Sequence, residues 1–266
     1  MGPGTSRPAD RPPNMITDPL FYLLAVPAVL IAGISKGGFG SGLALIAVPL
    51  MSLAVPVPMA AAIMLPVLMS IDFINIWVYR KDFSGPDLKV LLPGAVLGTA
   101  AGWAGFQFMT EEGTRLMVGL IAIVFTLDHW LPIRPKPDGA RPSGIRGVFW
   151  GMCGGFTSFF AHAGAPPVQV YLLPRGLAKR PFVGTFAIFF WSVNLMKFPA
   201  YWELGQFTAE VLWTALVLVP LVPIGIRIGL WGQTRLSDKV FFGVCYVLLF
   251  VTGIKLTWDG LRPLIG

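Results

Sequence analysis

The segment SKGGFGSG, residues 35–42, interrupts a long apolar run, and GGFTSFFAHAGAPP, residues 154–167, does the same in the second half of the chain. Glycine frees the backbone and proline removes a donor, so clusters of this kind stop an α-helix. Behind each break lies only a short apolar arm, 40–54 and 165–174. Neither arm is long enough to cross a hydrocarbon core about 30 Å thick. Each break with its arm therefore predicts a broken hairpin that returns to the side it started from.

Outward from the breaks, the other apolar blocks have the length of membrane spans: 18–35, 58–79, 87–108, 114–132, 144–162, 181–201, 207–229 and 239–261. The fold class read from this pattern is an all-α polytopic membrane protein, with about eight full transmembrane spans plus two short re-entrant arms. Composition agrees. The chain is 55% hydrophobic and 12% charged, whereas a soluble domain carries about 25% charged residues. A net charge of +7 without any long charged segment argues against nucleic acid as a partner. Cys153 and Cys245 lie in apolar blocks with no CxxC spacing, so no disulfide framework, metal site or cofactor is expected. Residues 1–17, Pro-rich through 14, read as a disordered tail. The stretch Leu20–Ile34 lacks the cleavage site of a signal peptide.

Positive residues stay on the cytoplasmic side of a membrane. With both hairpins returning, one side holds Arg80, Lys81, Lys89, Arg134, Lys136, Arg141, Arg146, Arg175, Lys179, Arg180, Arg227, Arg235 and Lys239, and the other only Arg7, Arg11, Arg115 and Arg262. Both termini are thereby expected outside, in the inner membrane.

Sliding the chain on itself by 122 positions pairs Gly33 with Gly155, Gly42 with Gly164, Ser70 with Ser192, Asp72 with Asn194, and Tyr79 with Tyr201. After a longer loop, residues 93–102 match 220–229. A hairpin and three crossings make an odd number, so the second copy is predicted upside down. The halves are 18–132 and 144–261, joined by a cytoplasmic linker at 133–143.

Inverted repeats place a substrate near mid-membrane, between the broken elements. A helix starting there offers unpaired N–H groups and the positive end of its dipole, and glycine lets an anion approach the backbone. The candidate cradle is Ser35, Lys36, Gly37, Gly38, Gly40 and Ser41 from the first break, with Thr157, Ser158, His162, Gly164 and Gln169 from the second. Asp72 is the costliest residue, because a carboxylate near the bilayer centre costs about 2.5–3.5 kcal/mol on insertion scales. It reads either as a proton-coupling group or as the partner of Lys36 or Lys197. Asn75, Ser70, Ser192 and Asn194 complete an interior polar stripe. His162 reads as an anion ligand, a proton relay or a hydrogen-bonded linker. Trp77, Tyr79, Trp103, Trp130, Tyr201, Trp202 and Trp258 fall near span ends, as an interfacial belt would. Phe190 and Trp191 lie deeper and are candidates to line the pathway.

The stretches SKGGFGSGLALIAVP (35–49), GGFTSFFAHAGAPPVQVYLLP (154–174) and GTFAIFFWSVNLMKFPAY (184–201) resemble the sulfite exporter TauE/SafE family, also called TSUP permeases. The likeness extends over nearly all of 18–261. It implies duplicated halves and a secondary transporter that moves sulfite, thiosulfate, sulfoacetate or another organosulfonate, as members of that family do mostly without ATP. The alternatives are an anion channel and a carrier of a non-sulfur organic anion. Ser158 and His162 lie four residues apart, but no GxSxG, HExxH or orienting third group accompanies them, so an enzyme is not expected. Partners expected from this reading are a small anion, protons and the bilayer. The oligomeric state, a homodimer among the options, is open.

Overall fold

The computed structural model describes residues 15–39, 42–131, 144–232 and 238–265. The expected tail over 1–14, the linker at 133–143, Gly40, Ser41 and Arg235 lie outside the described residues, as do the side chains of Lys179, Lys239 and Cys245. The described chain is helical, with no strand.

Helix α1 (Pro19–Ile34) starts where Asp18 accepts the Leu20 N–H and proline occupies the first helical position. It does not stop at the first break. It widens into a π-helical turn, Ser35–Phe39, which carries Lys36. The returning arm is a 3-10 turn, Gly42–Ile46, followed by α2 (Ala47–Met51). Then come α3 (Val57–Tyr79), α4 (Gly85–Phe106) and α5 (Glu111–Trp130), the last capped by the Thr110 hydroxyl on the Gly113 N–H. The second half repeats the order with α6 (Gly144–Ala161), the short α7 (Ala165–Leu172) with its 3-10 turn Leu173–Arg175, and α8 (Lys179–Glu203). The single span expected at 207–229 is two helices, α9 (Ala209–Leu218) and α10 (Leu221–Gly232). Pro220 divides them, because it has no N–H to give and its ring excludes the carbonyl of the preceding turn. Helix α11 (Asp238–Ile265) closes the bundle.

Five segments are long and apolar enough to cross a membrane: α1 with the first residues of its π turn, α3, α4, α8, and α9 with α10. The other long helices carry more charge or more glycine. In α5 these are Glu111, Glu112, Arg115 and Asp128, in α11 Lys255, Asp259 and Arg262, and in α6 a run of glycines. Leu23, Phe73, Trp77 and Trp202 stand exposed, as apolar side chains do when lipid is the solvent.

Helix α4 packs along α6, α5 along α11, α1 along α10, and α3 against α8. Glycine permits the closest of these approaches: a Cβ on Gly94 or Gly98 would fall on the carbonyls of Val148 or Met152, and one on Gly151 on that of Leu91. The paired positions rise together, so α4 and α6 run parallel. Arg175, at the end of the second arm, reaches Asp87 in the first turn of α4. The arm therefore returns to the end at which α6 began. At that same end Arg180 pairs with Asp82 at 2.8 Å, and Ser84 donates its N–H to Thr185 Oγ1. The basic loops at 80–89 and 175–180 thus lie together.

Candidate functional site

The two breaks and the centres of α3 and α8 meet around one cavity of about 40 Å³. A water needs roughly 10–15 Å³ on this measure, so the space admits a compact ion or headgroup. Its polar wall is Lys36 from the π turn, Asp72 and Asn75 from α3, Ser158 and His162 from the second break, and Asn194 from α8. Toward the start of α8 the wall turns apolar, with Val183, Phe186 and Phe190.

Lys36 Nζ lies 2.6 Å from Asp72 Oδ1 and sits over the Phe190 ring, 5.3 Å from its centroid. Asn194 donates to the other oxygen, Asp72 Oδ2, at 2.7 Å. A carboxylate buried to 1% exposure thus has both oxygens engaged, as a buried charge requires. Asn75 ties the π turn to α3 by donating to the Lys36 carbonyl at 3.4 Å.

One layer behind the wall is Lys197, with no solvent exposure. Its Nζ contacts the Ser158 carbonyl at 3.0 Å, Ser158 Oγ at 3.1 Å and His162 Nδ1 at 2.6 Å. His162 Nε2 lies 2.9 Å from the Ala61 carbonyl. A carbonyl only accepts, so Nε2 carries a proton, and in the neutral ring Nδ1 then holds the lone pair. His162 also has φ of 51°, the left-handed region that turns the chain from α6 toward α7.

The other candidates take other places. The Thr157 hydroxyl lies between the Cys153 and Ala163 carbonyls, at 2.8 and 3.0 Å, and its one hydrogen serves the hairpin. Gly164 fits where a Cβ would meet the Gly154 carbonyl, and Gly37 packs on Ile226 of α10. Ser35 is buried, and neither it nor Gln169 forms part of the cavity wall. Gly38 lies in the π turn. The Ser70 and Ser192 hydroxyls return to the carbonyls of Pro66 and Ile188. Ser70 also borders a separate open hollow with Phe73 and Trp191. Phe190 therefore lines the cavity and Trp191 does not. The first turn of α7 holds Pro166 and Pro167, which have no N–H, so the backbone donors expected at this helix start are largely missing. Side chains carry the polar wall instead.

Tyr201, expected in the interfacial belt, is an interior residue at 2% exposure whose hydroxyl donates to the Phe159 carbonyl. Two features were missed in the sequence. The Ala61 carbonyl leaves no trace there. Asp87 does, in SGPD at 84–87, which reads as a helix start. What the motif does not disclose is that Asp87 is fully buried and accepts from Ser84, from Tyr171 and from Arg175, the last at 2.8 Å.

Apolar-faced helices around a cavity lined by Lys36 and a buried carboxylate are the arrangement of a multi-pass membrane protein. The profile of the sulfite exporter TauE/SafE family matches residues 25–256, and the chain belongs to that family. No curated protein and no solved structure matches the chain. Its family is one of exporters rather than enzymes.

Proposed function

We propose that this protein is a secondary transporter that carries a small sulfur-containing anion, sulfite, thiosulfate, sulfoacetate or another organosulfonate, across the bacterial inner membrane. One observation carries the reading: a cavity within an apolar bundle is served by two lysines and one carboxylate among the described residues around it. An ammonium has three donors, and Lys36 uses one of them on Asp72. Its remaining N–H groups, the Ser158 hydroxyl and the second amide protons of Asn75 and Asn194 supply donors to an anion in the cavity. Such donors replace hydration that a buried anion loses. The family name supplies sulfur as the element.

The same reading takes α5, α6 and α11 as crossings, for eight spans in two inverted repeats, 18–132 and 144–261, with both termini outside. Its support is a pattern of equivalent bonds. Asn75 bonds the carbonyl of Lys36, and Lys197 bonds the carbonyl of Ser158, each partner displaced by the repeat offset of 122. A Cβ on Gly98 would meet the Met152 carbonyl and one on Gly225 that of Leu30, again 122 apart on the carbonyl side.

The test is thermal unfolding of the purified protein with sulfite, thiosulfate, sulfoacetate and sulfate, for wild type and Lys36→Gln/Asp72→Asn. A ligand of the native state raises the melting temperature with its concentration. The expected result is that one sulfur anion stabilises wild type and not the double variant. With lactate and malonate added to the panel, a response confined to these non-sulfur anions would overturn the sulfur assignment.

A further inference from the structure

Lys197 is buried on α8 and among the described residues has no carboxylate of its own, because Asp72 is already taken by Lys36 and Asn194. The groups around it are Ser158 and His162 from the second break, with Asp72 on α3 and Lys36 on the π turn across the cavity. Two of its three contacts have a fixed sense. The Ser158 carbonyl can only accept, and so can His162 Nδ1, whose ring proton is committed to Ala61. The third contact, to Ser158 Oγ at 3.1 Å, is reversible. The hydroxyl can accept a third N–H from an ammonium, or it can donate its own O–H to the lone pair of an amine. Ser158 also faces the cavity, where that same O–H can donate to an anion. One hydrogen cannot do both.

We propose that Ser158 and Lys197 form the proton-coupling unit of the transporter, a role for which the sequence offered Asp72. The inference rests on the anion-transport reading. With the cavity empty, the Ser158 O–H points at Lys197 Nζ and the side chain is an amine. An arriving anion accepts the Ser158 O–H, which rotates away from Nζ. The freed lone pair takes one proton from solution, forming an N–H bond, and the new ammonium donates to the vacated Ser158 Oγ. No other covalent bond changes. A singly charged anion and one proton enter together, so the charge of the interior is unaltered, and with a dianion it changes by one unit instead of two, which a low-dielectric site favours. Asp72 stays the fixed counter-ion of Lys36 throughout.

Calorimetric titration in buffers of different ionisation enthalpy counts protons taken up per anion bound. Methanesulfonate and thiosulfate serve as probes, because neither changes charge near neutral pH. Wild type should take up about one proton per anion. Lys197→Met should bind with that uptake abolished, Ser158→Ala, which also loses one donor to the anion, should bind more weakly and likewise without uptake, and Asp72→Asn should keep it. Ser158→Ala removes one oxygen and serves as the reporter if Lys197→Met does not fold. Uptake that survives in Ser158→Ala, or disappears in Asp72→Asn while binding persists, overturns the proposal. Binding to wild type without uptake overturns it as well and leaves the transport reading in place. Absence of binding by both probes and by sulfite removes the transport reading and this inference with it.

Discussion

Asn194 donates from Nδ2 to Asp72 Oδ2 over 2.7 Å, and so joins α8 to α3 across 122 positions of chain. Because Lys36 holds the other oxygen, this amide is half of what makes a fully desolvated carboxylate tolerable. Replacing Asn194 by Leu leaves that oxygen unpaired, and the expected loss of stability is about 1–3 kcal/mol. Asn194→Asp, which sets a second carboxylate against the first, should lose more than Leu does. Unfolding of the purified variants in detergent measures both, and an Asn194→Leu protein as stable as wild type would show that the bond contributes nothing.

Lys36 and Asp72 are expected to be strongly coupled. Lys36→Gln leaves the carboxylate buried without its cation, at a loss of about 3–5 kcal/mol. Adding Asp72→Asn removes the stranded charge and should recover part of that loss. A double-mutant cycle reads the coupling directly, and additive losses would argue that the 2.6 Å contact is energetically empty.

The two ion pairs at the start of α4 and α8 should differ sharply. Arg175 with Asp87 is enclosed, at 13% and 0% side-chain exposure, whereas Arg180 with Asp82 is open, at 67% and 34%. Asp87→Asn is expected to lower the unfolding temperature clearly, since it disturbs Ser84, Tyr171 and Arg175 together. Arg180→Gln should leave it unchanged, because exposed pairs are screened. Equal effects in a thermal scan would contradict the burial argument.

Glycines at helix contacts should be sensitive where the backbones meet and tolerant elsewhere. Gly98→Ala places a Cβ on the Met152 carbonyl, and forcing α4 from α6 should cost about 1–3 kcal/mol. Gly105, near the end of the same helix, has open space beside it. There alanine should be neutral or should stabilise by up to about 1 kcal/mol, through its better helix propensity. Chemical unfolding of the two single variants decides this, and a cost at Gly105 equal to that at Gly98 would refute the packing assignment.

The positions of the helices were legible in the sequence, because apolar run length, glycine clusters and prolines act locally on the backbone. The spans read at 58–79, 87–108 and 144–162 coincide within two residues with α3, α4 and α6. The family resemblance was legible for the same reason, since its motifs are contiguous. At the candidate site the sequence singled out Lys36, Asp72, Ser158, His162, Asn194 and Lys197 by the cost of placing polar groups in an apolar bundle. It did not say which of them meet. Lys36 with Asp72, Lys197 with Ser158 and His162, and Arg175 with Asp87 are each joined over 35 to 88 positions of chain. Such pairs depend on how far each helix is rotated and how closely glycine lets it approach its neighbour. Tertiary packing likewise turned Tyr201 inward from the expected belt and committed the Thr157 hydroxyl to its own hairpin. Local sequence specifies where a helix begins and ends, but side-chain partners in a membrane bundle are chosen by interhelical geometry, which no short stretch of chain contains.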